Sequence, residues 1–442
     1  MHILLFIFYG VVLCYIIPKV PLVRNSGIRP GFLLLLFVLR VMTGCLHNWV
    51  AYKYYPNHGD VWLFFKESFI TRHELFTNFN TFLADNSTWA YMPHNTIECM
   101  HVLLNFLSAD NLYVSTLLFS FLAFLGSIAL FRAFNSLFNN DLLCSLCVLI
   151  LPSTLFWTSC ILTEGLVYTF LGFFFYYVSR LFLPEKPTPA PDSRKPDQRL
   201  FFLCLLFFLL TAFFRPAIAL SLICAIYCGW LAKSRLSRFF RSKSSNKRLF
   251  GWALVIISGI IILVTANAVL GGTVLRTFSD RQKEFQTLSG NSRIYLPILE
   301  ADWRSFLDVL PFAFLNGFFQ PLPGSGGQAI YLAFSGELIL IWTVVGFALL
   351  IRMIRPPVRS RKNDGSGVSR PELLTAFGIC CIVLALSGML MIGYIIPFAG
   401  AIIRYRSIYL PFLVTPVLHT LRSFRFMQNW NDWLNRTLLT DP

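Results

Sequence analysis

The stretch that decides the fold runs from Leu200 to Ala232 and reads LFFLCLLFFLLTAFFRPAIALSLICAIYCGWLA. Its 33 residues contain a single charged side chain, Arg215, which is followed by Pro216. One helix of that length would exceed the ~20 residues that cross a bilayer, and proline interrupts the backbone hydrogen-bond ladder. The stretch therefore predicts two short membrane-spanning helices folded at Arg215-Pro216.

The composition of the whole chain favours the same interpretation. Of its 442 residues, 56% are hydrophobic and only 13% are charged, and the mean hydropathy is +0.64. A soluble domain averages about 25% charged residues. Because lipid can solvate this much apolar surface, we predict an all-α polytopic membrane protein, a single transmembrane domain over 1–442. Eleven apolar runs mark the expected spans: 3–17, 31–46, 111–131, 142–160, 164–182, 200–214, 216–232, 250–270, 331–351, 372–396 and 405–421.

The charges between these runs predict an orientation. With the N-terminus outside and the C-terminus in the cytoplasm, the cytoplasmic segments carry 25 of the 37 Lys and Arg residues, and the outer segments carry 11. This asymmetry follows the positive-inside rule. The segments 184–199, 233–249 and 352–371 are then cytoplasmic linkers, and the first run is a retained span. Since the net charge of +16 lies in such short segments, it does not indicate nucleic-acid binding.

Two long outer loops, 47–110 and 271–330, are rich in aromatic, acidic and amide residues. Unlike the linkers, they are expected to carry interfacial helices and the function. In the second loop, Pro311–Gly324 alternates aromatic residues with Pro and Gly. This pattern predicts an interfacial segment with turns that roofs a cavity.

The first outer loop offers two carboxylates. A helix beginning at Gly59-Asp60 would place Asp60, Phe64 and Glu67 on one face. Asp60 can be a helix cap and nothing more, or a general base at the membrane surface that deprotonates an acceptor hydroxyl.

Histidines are also concentrated in this loop: His47, His58, His73, His94 and His101. With Asp60 and Glu67 they could hold a divalent metal, but no pair has a ligand spacing on one helix. The eleven Cys residues likewise show no paired metal spacing. No cofactor is therefore assigned, and a metal has no support from the spacing.

Charged side chains near membrane depth are the other candidates. Glu164 at the outer end of a span either faces a cavity or pairs with Arg215 to fix the packing. Arg404 and Arg406 lie in a short outer turn, against the positive-inside trend. Arginine suits phosphate, which would belong either to a lipid headgroup or to a phosphate-linked lipid substrate. Arg40 lies within a span, where its head can snorkel to the surface.

Four stretches occur in an order that covers most of the chain: His58-Gly59-Asp60, Pro152 through Trp157 with Glu164, Asn316 through Pro323, and Arg404-Tyr405-Arg406. In this set the chain resembles the GT-C superfamily of membrane glycosyltransferases, in particular bacterial members of the kind common in Bacteroidetes. It departs from their pattern at Thr163 and Gln320, where relatives tend to have Lys and Arg.

The resemblance implies an inverting transfer of sugar from a polyprenyl-phosphate donor at the outer face of the bacterial inner membrane. The acceptor would be a glycan, a lipid or a protein. Asp60 would be the catalytic base and Glu67 a second acid. Arg404 and Arg406, with Arg215, would bind the donor phosphate, and Glu164 would be a cavity or structural acid.

Two other functions remain open at this point. A surface-polysaccharide polymerase or ligase would depend mainly on Arg404 and Arg406, with Asp60 replaceable. A non-enzymatic lipid or solute carrier would need charged residues at mid-membrane depth, for which Arg40 is the clear candidate.

Overall fold

The computed structural model describes residues 1–55, 59–80, 82, 92–138, 141–183, 198–233, 259, 272–290, 292–323, 329–354 and 370–439. These residues form helices and turns, with no strand among them. The chain divides into two compact units, unit 1 (Met1–Pro216 with Arg425–Pro442) and unit 2 (Ala217–Phe424). Each unit is described by itself.

The described helices are numbered along the chain. Those in the first part of unit 1 are α1 (His2–Ile16), α2 (Pro21–Arg24), α3 (Pro30–Tyr54), α4 (Gly59–Thr77), α5 (Met92–Ser108), α6 (Leu112–Leu137), α7 (Leu142–Ile150), α8 (Pro152–Thr158), α9 (Thr163–Phe182) and α10 (Gln198–Phe214). Helix α11 (Pro216–Lys233) begins at the boundary. Unit 2 continues with α12 (Thr273–Thr287), α13 (Trp303–Phe319), α14 (Ala329–Ile354), α15 (Arg370–Ile395), α16 (Ala399–Arg406) and α17 (Leu410–Thr420). Helix α18 (Arg425–Leu438) returns to unit 1.

Six of the described helices are long and apolar enough to cross a membrane: His2–Lys19, Pro30–Tyr54, Leu112–Leu137, Thr163–Phe182, Ile330–Ile351 and Leu373–Ile395. The pair α16 and α17, bent by 60°, makes a seventh if it is one broken span. The fold class predicted from composition, a helical chain with several membrane-length helices, is confirmed at this level.

The eleven predicted spans are accounted for differently. Seven correspond to the helices above, and two form the shorter helices α10 and α11, which end and begin at the predicted break, Arg215-Pro216. The run 142–160 is two helices, α7 and α8, because Pro152 begins a new helix after Leu151. The run 250–270 lies outside the described residues, apart from Gly259, as do most of the three predicted cytoplasmic linkers.

Unit 1 is built around α6, most of which is buried. Where α6 crosses α9, Gly126 and Gly172 bring the two backbones together. A Cβ on Gly172 would overlap the carbonyl oxygen of Gly126, and a Cβ on Gly126 would overlap Thr169. Small residues at such a crossing let helices approach closely enough for backbone contact.

Unit 2 has a crossing of the same kind between α13 and α15. A Cβ on Gly317 would overlap the carbonyl oxygen of Met389, and one on Gly393 would overlap that of Ala313. Ala313 and Val309 are buried in a cluster with Tyr394 of α15. This burial supports a continuous helix through Pro311, whose ring removes one backbone hydrogen bond.

Two expectations for the outer segments were therefore wrong. The segment after Pro311 is helical as far as Phe319 rather than a series of turns. Arg404 and Arg406 lie in helix α16 rather than in a turn, and Ile402 and Ile403 of that helix are buried. At 311–319 proline and glycine favoured turns, and tertiary burial of apolar side chains outweighed them. At 400–406 a turn was expected because the segment lies between two predicted spans.

Candidate functional site

The predicted base Asp60 lies in the first turn of α4. The helix begins at Gly59, as expected, and Gly59 has a φ of +69°, which glycine adopts without strain. The side chain of Asp60 is exposed, Phe64 one turn later is buried, and Glu67 is half-buried. The face that carries both acids thus leads from the surface, at the exposed Asp60, into the bundle.

Helix α4 is held rigidly by its neighbours. Its contacts are Trp62 Nε1 donating to the carbonyl of Asn48 at 2.9 Å, Asn105 Nδ2 donating to Ser68 Oγ at 2.9 Å, and an ion pair of Arg72 with Asp110 at 2.8 Å. These contacts tie α4 to α3 and α5 on both sides of Glu67. A base on such a helix is positioned by the scaffold rather than by a loop.

Glu164 and Arg215 form an ion pair, as one of the two sequence interpretations expected. Arg215 Nη2 lies 2.6 Å from Glu164 Oε1 and donates to Thr163 Oγ1 at 2.7 Å. The Glu164 side chain is fully buried, whereas that of Arg215 is 28% exposed. The carboxylate is therefore neutralised inside the unit, and the guanidinium extends from it toward the surface.

Helix ends reinforce this pair. Glu164 is in the first turn of α9, and Arg215 follows the last residue of α10. A negatively charged side chain at a helix N-terminus and a positively charged one at a helix C-terminus are both stabilised by the helix dipole. Because α9 and α10 are antiparallel and in contact through Phe170 and Phe207, the two helix ends meet.

In unit 2 the two arginines of α16 differ. Arg406 is buried, and its Nη1 donates to the carbonyl oxygens of Gly317 and Gln320 at the end of α13. The charge of Glu337 also acts on it. Arg404 is half-buried, with its guanidinium 5.4 Å from the ring centre of Tyr405. Arg406 is thus committed to the last carbonyls of a helix, whereas Arg404 is the more exposed of the two.

The histidines do not form a metal site in the described parts of either unit. His47 is buried against Phe156 and Trp157, with ring centres 4.8 and 5.0 Å away, and His73 is exposed. Burial lowers the pKa of His101 to about 4. His58 and the side chain of His94 lie outside the described residues. Neither unit, taken by itself, brings three of its described His, Cys, Asp or Glu side chains within ligand distance of one another.

Arg40 is the residue that sequence reasoning undervalued. It is 2% exposed and does not snorkel: Nη1 donates to Ser127 Oγ at 2.7 Å, and Nη2 donates to the Thr158 hydroxyl at 2.7 Å and to its carbonyl at 2.8 Å. These partners on α6 and α8 are neutral. The small polar residues on the facing helices were the only signal in the sequence, and they lie 87 and 118 positions away.

Unit 2 has an open groove of about 390 Å³ in the predicted second outer loop. It is lined by Asp302, Ser305 and Asp308, by Arg304, and by the ring of Phe312. Asp302 Oδ1 accepts the backbone amide of Ser305 and so caps α13. Its carboxylates could accept hydrogen bonds from the hydroxyl groups of a ligand. However, these polar residues are the ones usually found at the start of a helix, so they do not by themselves indicate a binding site.

The chain matches no family model, no curated protein and no solved structure. The resemblance to membrane glycosyltransferases accordingly rests on the four sequence stretches alone.

Thr163 and Gln320, the two positions where the chain departs from the glycosyltransferase pattern, have a common feature. At each of them the structure places an arginine from elsewhere in the same unit: Arg215 bonds the hydroxyl of Thr163, and Arg406 bonds the carbonyl of Gln320. A cation is therefore present beside both positions although neither residue carries one.

Proposed function

We propose that the chain is an inverting glycosyltransferase that moves a sugar from a polyprenyl-phosphate donor to an acceptor. It would act at the outer face of the bacterial inner membrane, with eleven spans and the N-terminus outside. The observation that carries the proposal is the placement of Asp60. An exposed carboxylate lies in the first turn of a rigidly held helix, a few residues beyond the end of the membrane-length helix α3.

A carboxylate at this level suits a donor whose lipid is in the bilayer and whose sugar is in water. Asp60 takes the proton of the acceptor hydroxyl. The acceptor oxygen forms a bond to the anomeric carbon as the bond from that carbon to the phosphate oxygen breaks. The electron pair leaves with the prenyl phosphate, and the anomeric configuration inverts. Glu67 on the same helix is the second acid.

The leaving phosphate needs positive charge. Unit 1 offers Arg215, whose guanidinium is partly exposed while its pair with Glu164 holds its position. Unit 2 offers Arg404, which is half-buried and therefore more exposed than the fully buried Arg406. Substituting Arg404 by Gln should raise the KM for donor more than it lowers kcat.

The test uses the full chain in lipid nanodiscs with synthetic short-chain prenyl phosphates that carry a hexose or a pentose. An extract of envelope glycans and lipids serves as acceptor, and release of prenyl phosphate is measured. Asp60→Asn should lower the rate by roughly 10²- to 10⁴-fold, the usual contribution of a general base. The matched control is Glu74→Gln, an acid on the same helix about 21 Å further along, which should retain the wild-type rate.

Full activity of Asp60→Asn would overturn the assignment of the base. Failure of the wild type to consume any of the prenyl-phosphate sugars would overturn the donor class. Retention of the donor's anomeric configuration in the product would contradict direct displacement.

A carrier is the second candidate, and Arg40 is the observation that favours it. A charged side chain buried within a span is expensive and often functional. A carrier would move a labelled prenyl-phosphate sugar across a proteoliposome membrane without breaking it, and Asp60→Asn would leave that movement intact. The transferase consumes the donor and depends on Asp60.

A further inference from the structure

Helix α18 was not expected from the sequence, which suggested only a cytoplasmic tail. It is strongly amphipathic and has three sectors around its axis. Asn431, Leu434 and Leu438 face unit 1, with Leu434 in a cluster with residues of α3, α6 and α7. The polar sector carries Gln428, Asn429, Asp432 and Arg436. The third sector is aromatic.

The aromatic sector consists of Phe426, Trp430 and Trp433, at a spacing of one helical turn. Their rings touch in a row, with centroids 6.0 Å apart between Phe426 and Trp430 and 5.7 Å apart between Trp430 and Trp433. The three side chains are 67, 47 and 55% exposed. Such a row on one side of a helix is too apolar to be left in water.

The contacts of α18 within unit 1 indicate the environment of this aromatic row. The guanidinium of Arg29 donates to the carbonyls of Arg436 at 3.0 Å and Leu439 at 2.8 Å, and the Arg29 amide donates to the carbonyl of Leu438. Arg29 directly precedes α3. The backbone amide of Leu143, in the first turn of α7, donates to Asn431 Oδ1 at 3.2 Å.

Helix α18 therefore contacts the N-terminal ends of two helices, with its middle at α7 and its last residues at α3. A helix that bridges the ends of others runs across them rather than alongside them. Since α3 is a membrane-length helix, α18 lies at the level where that span emerges. The aromatic sector is then at the membrane surface.

The positively charged residues of α18 and of the chain beside it indicate which lipid the helix meets. Arg425 and Arg436 are exposed and lie in the polar sector, and Arg24 and Arg29 lie at the same end of the unit. Exposed arginines along the same helix as the aromatic rings suit anionic phospholipid, whose headgroups attract the arginines while Trp rings occupy the interface.

We propose that α18 is a membrane-surface helix that inserts Phe426, Trp430 and Trp433 into the headgroup layer and binds anionic phospholipid through Arg425 and Arg436. The inference does not depend on the proposed transferase activity.

The test uses the full chain in nanodiscs of phosphatidylcholine, with or without bromine on the upper acyl carbons. The signal of the two tryptophans is the fluorescence of the wild type minus that of Trp430→Phe/Trp433→Phe. The expected difference spectrum is blue-shifted relative to tryptophan in water and quenched by the brominated lipid. An unquenched difference spectrum with the emission of water-exposed tryptophan would overturn the proposal and indicate an aqueous surface, open to a protein partner.

Lipid charge is tested separately by adding phosphatidylglycerol to the nanodiscs and measuring binding competition against phosphatidylcholine with a spin-labelled lipid. The preference for phosphatidylglycerol should fall by roughly fivefold for each arginine removed in Arg425→Gln and Arg436→Gln. The matched control, Arg276→Gln/Arg304→Gln, removes two exposed arginines of unit 2 and should leave the preference unchanged. An equal loss in the control and in the α18 variants would overturn the choice of lipid.

Discussion

The two units hold the arginines inside their helical bundles, buried or half-buried, with different kinds of partner. In unit 1, Arg40 and Arg215 are bound mainly by side chains, the hydroxyls of Ser127 and Thr158 and the carboxylate of Glu164. In unit 2, Arg406 is bound by backbone carbonyls of α13. A side-chain partner can be removed by one substitution, whereas a backbone carbonyl cannot. The polar contacts of unit 1 are therefore encoded by residue identity, and that of unit 2 by the path of the chain.

The two units agree in one respect. Each has a helix crossing in which glycines bring backbones into contact, Gly126 with Gly172 in unit 1 and Gly317 with Gly393 in unit 2. Close backbone approach maximises van der Waals contact where no hydrophobic force acts between helices in lipid. Substitutions can show how far this common feature and the contrasting arginines account for the stability of each unit.

The largest effect is expected at the crossings. Gly172→Ala and Gly393→Ala each introduce a methyl group that overlaps a backbone carbonyl, so each should cost about 3 kcal/mol or more and abolish most of the folded yield. Yield and thermal unfolding in detergent, followed by size-exclusion chromatography, measure this. Gly346→Ala, in α14 with nothing near its Cβ, is the control and should be neutral or slightly stabilising. Wild-type behaviour of either crossing variant would show that the units are held differently.

The ion pair of unit 1 should give the next largest effect. Arg215→Gln leaves the carboxylate of Glu164 buried without its cation and should cost about 3 kcal/mol, the low end for a buried pair, because Arg215 is partly exposed to solvent. Glu164→Gln should cost less, since Arg215 reaches the surface. The double variant should be more stable than Arg215→Gln alone. Thermal unfolding midpoints of the four proteins in a double-mutant cycle measure the coupling.

The corresponding change in unit 2 sharpens the contrast. Arg406→Gln leaves the carbonyls of Gly317 and Gln320 without their donor, and Glu337→Gln should not restore stability as Glu164→Gln does in unit 1. Equal rescue in both units would contradict the distinction between side-chain and backbone partners.

The hydroxyl partners of Arg40 come third. Ser127→Ala and Thr158→Val each remove a hydrogen bond to a charged group and should each lower the free energy of unfolding by about 2 kcal/mol. In the variant with both changes, Arg40→Met should recover much of the loss, because the buried charge is removed with its partners. Thr43→Val, whose hydroxyl bonds only the carbonyl of Leu39 in its own helix, is the control. If Arg40→Met lowers stability further in that background, the hydroxyls are not what holds the charge.

The smallest effect is the pH dependence of His101 in unit 1. Its pKa is lowered from the ordinary 6.5 to about 4 by burial, an effect that the charge of Glu98 opposes. The unfolded chain then binds a proton that the folded chain does not, so stability is retained above about pH 6.5 and falls as the pH drops toward 4. At pH 5 the loss should be about 1–2 kcal/mol. His101→Gln should flatten this part of the profile, and His73→Gln, at an exposed position, should not.

Sequence reasoning identified the local features of the candidate site. The start of α4 at Gly59 and the break at Arg215-Pro216 are confirmed, and of the two interpretations left open for Glu164 the structure shows the pairing with Arg215. Each depends on residues that are close in sequence or on a charge that lipid would not tolerate without a partner. The roles of Asp60 and Glu67 in catalysis remain predictions.

The errors concerned segments where local preference and tertiary burial disagree. Proline and glycine around 311–324 favoured turns, but α13 continues to Phe319 because Gly317 fits against α15. Helix α18 was missed although its apolar residues have helical spacing, since the partners of its buried face are the distant starts of α3 and α7.

The sequence by itself determined that this chain is built from apolar helices suited to lipid, because 33 residues with one charge, as in 200–232, have no stable place in water. It also determined that helices begin at Gly59 and at Pro216, although it missed the one that begins at Pro152. Only the tertiary structure decided which cations remain at the surface: Arg40 and Arg406 are buried, whereas Arg215 is partly exposed. The reason is that a charge in lipid is stabilised by whichever oxygens the folded helices bring to it, and those oxygens lie dozens of residues away along the chain.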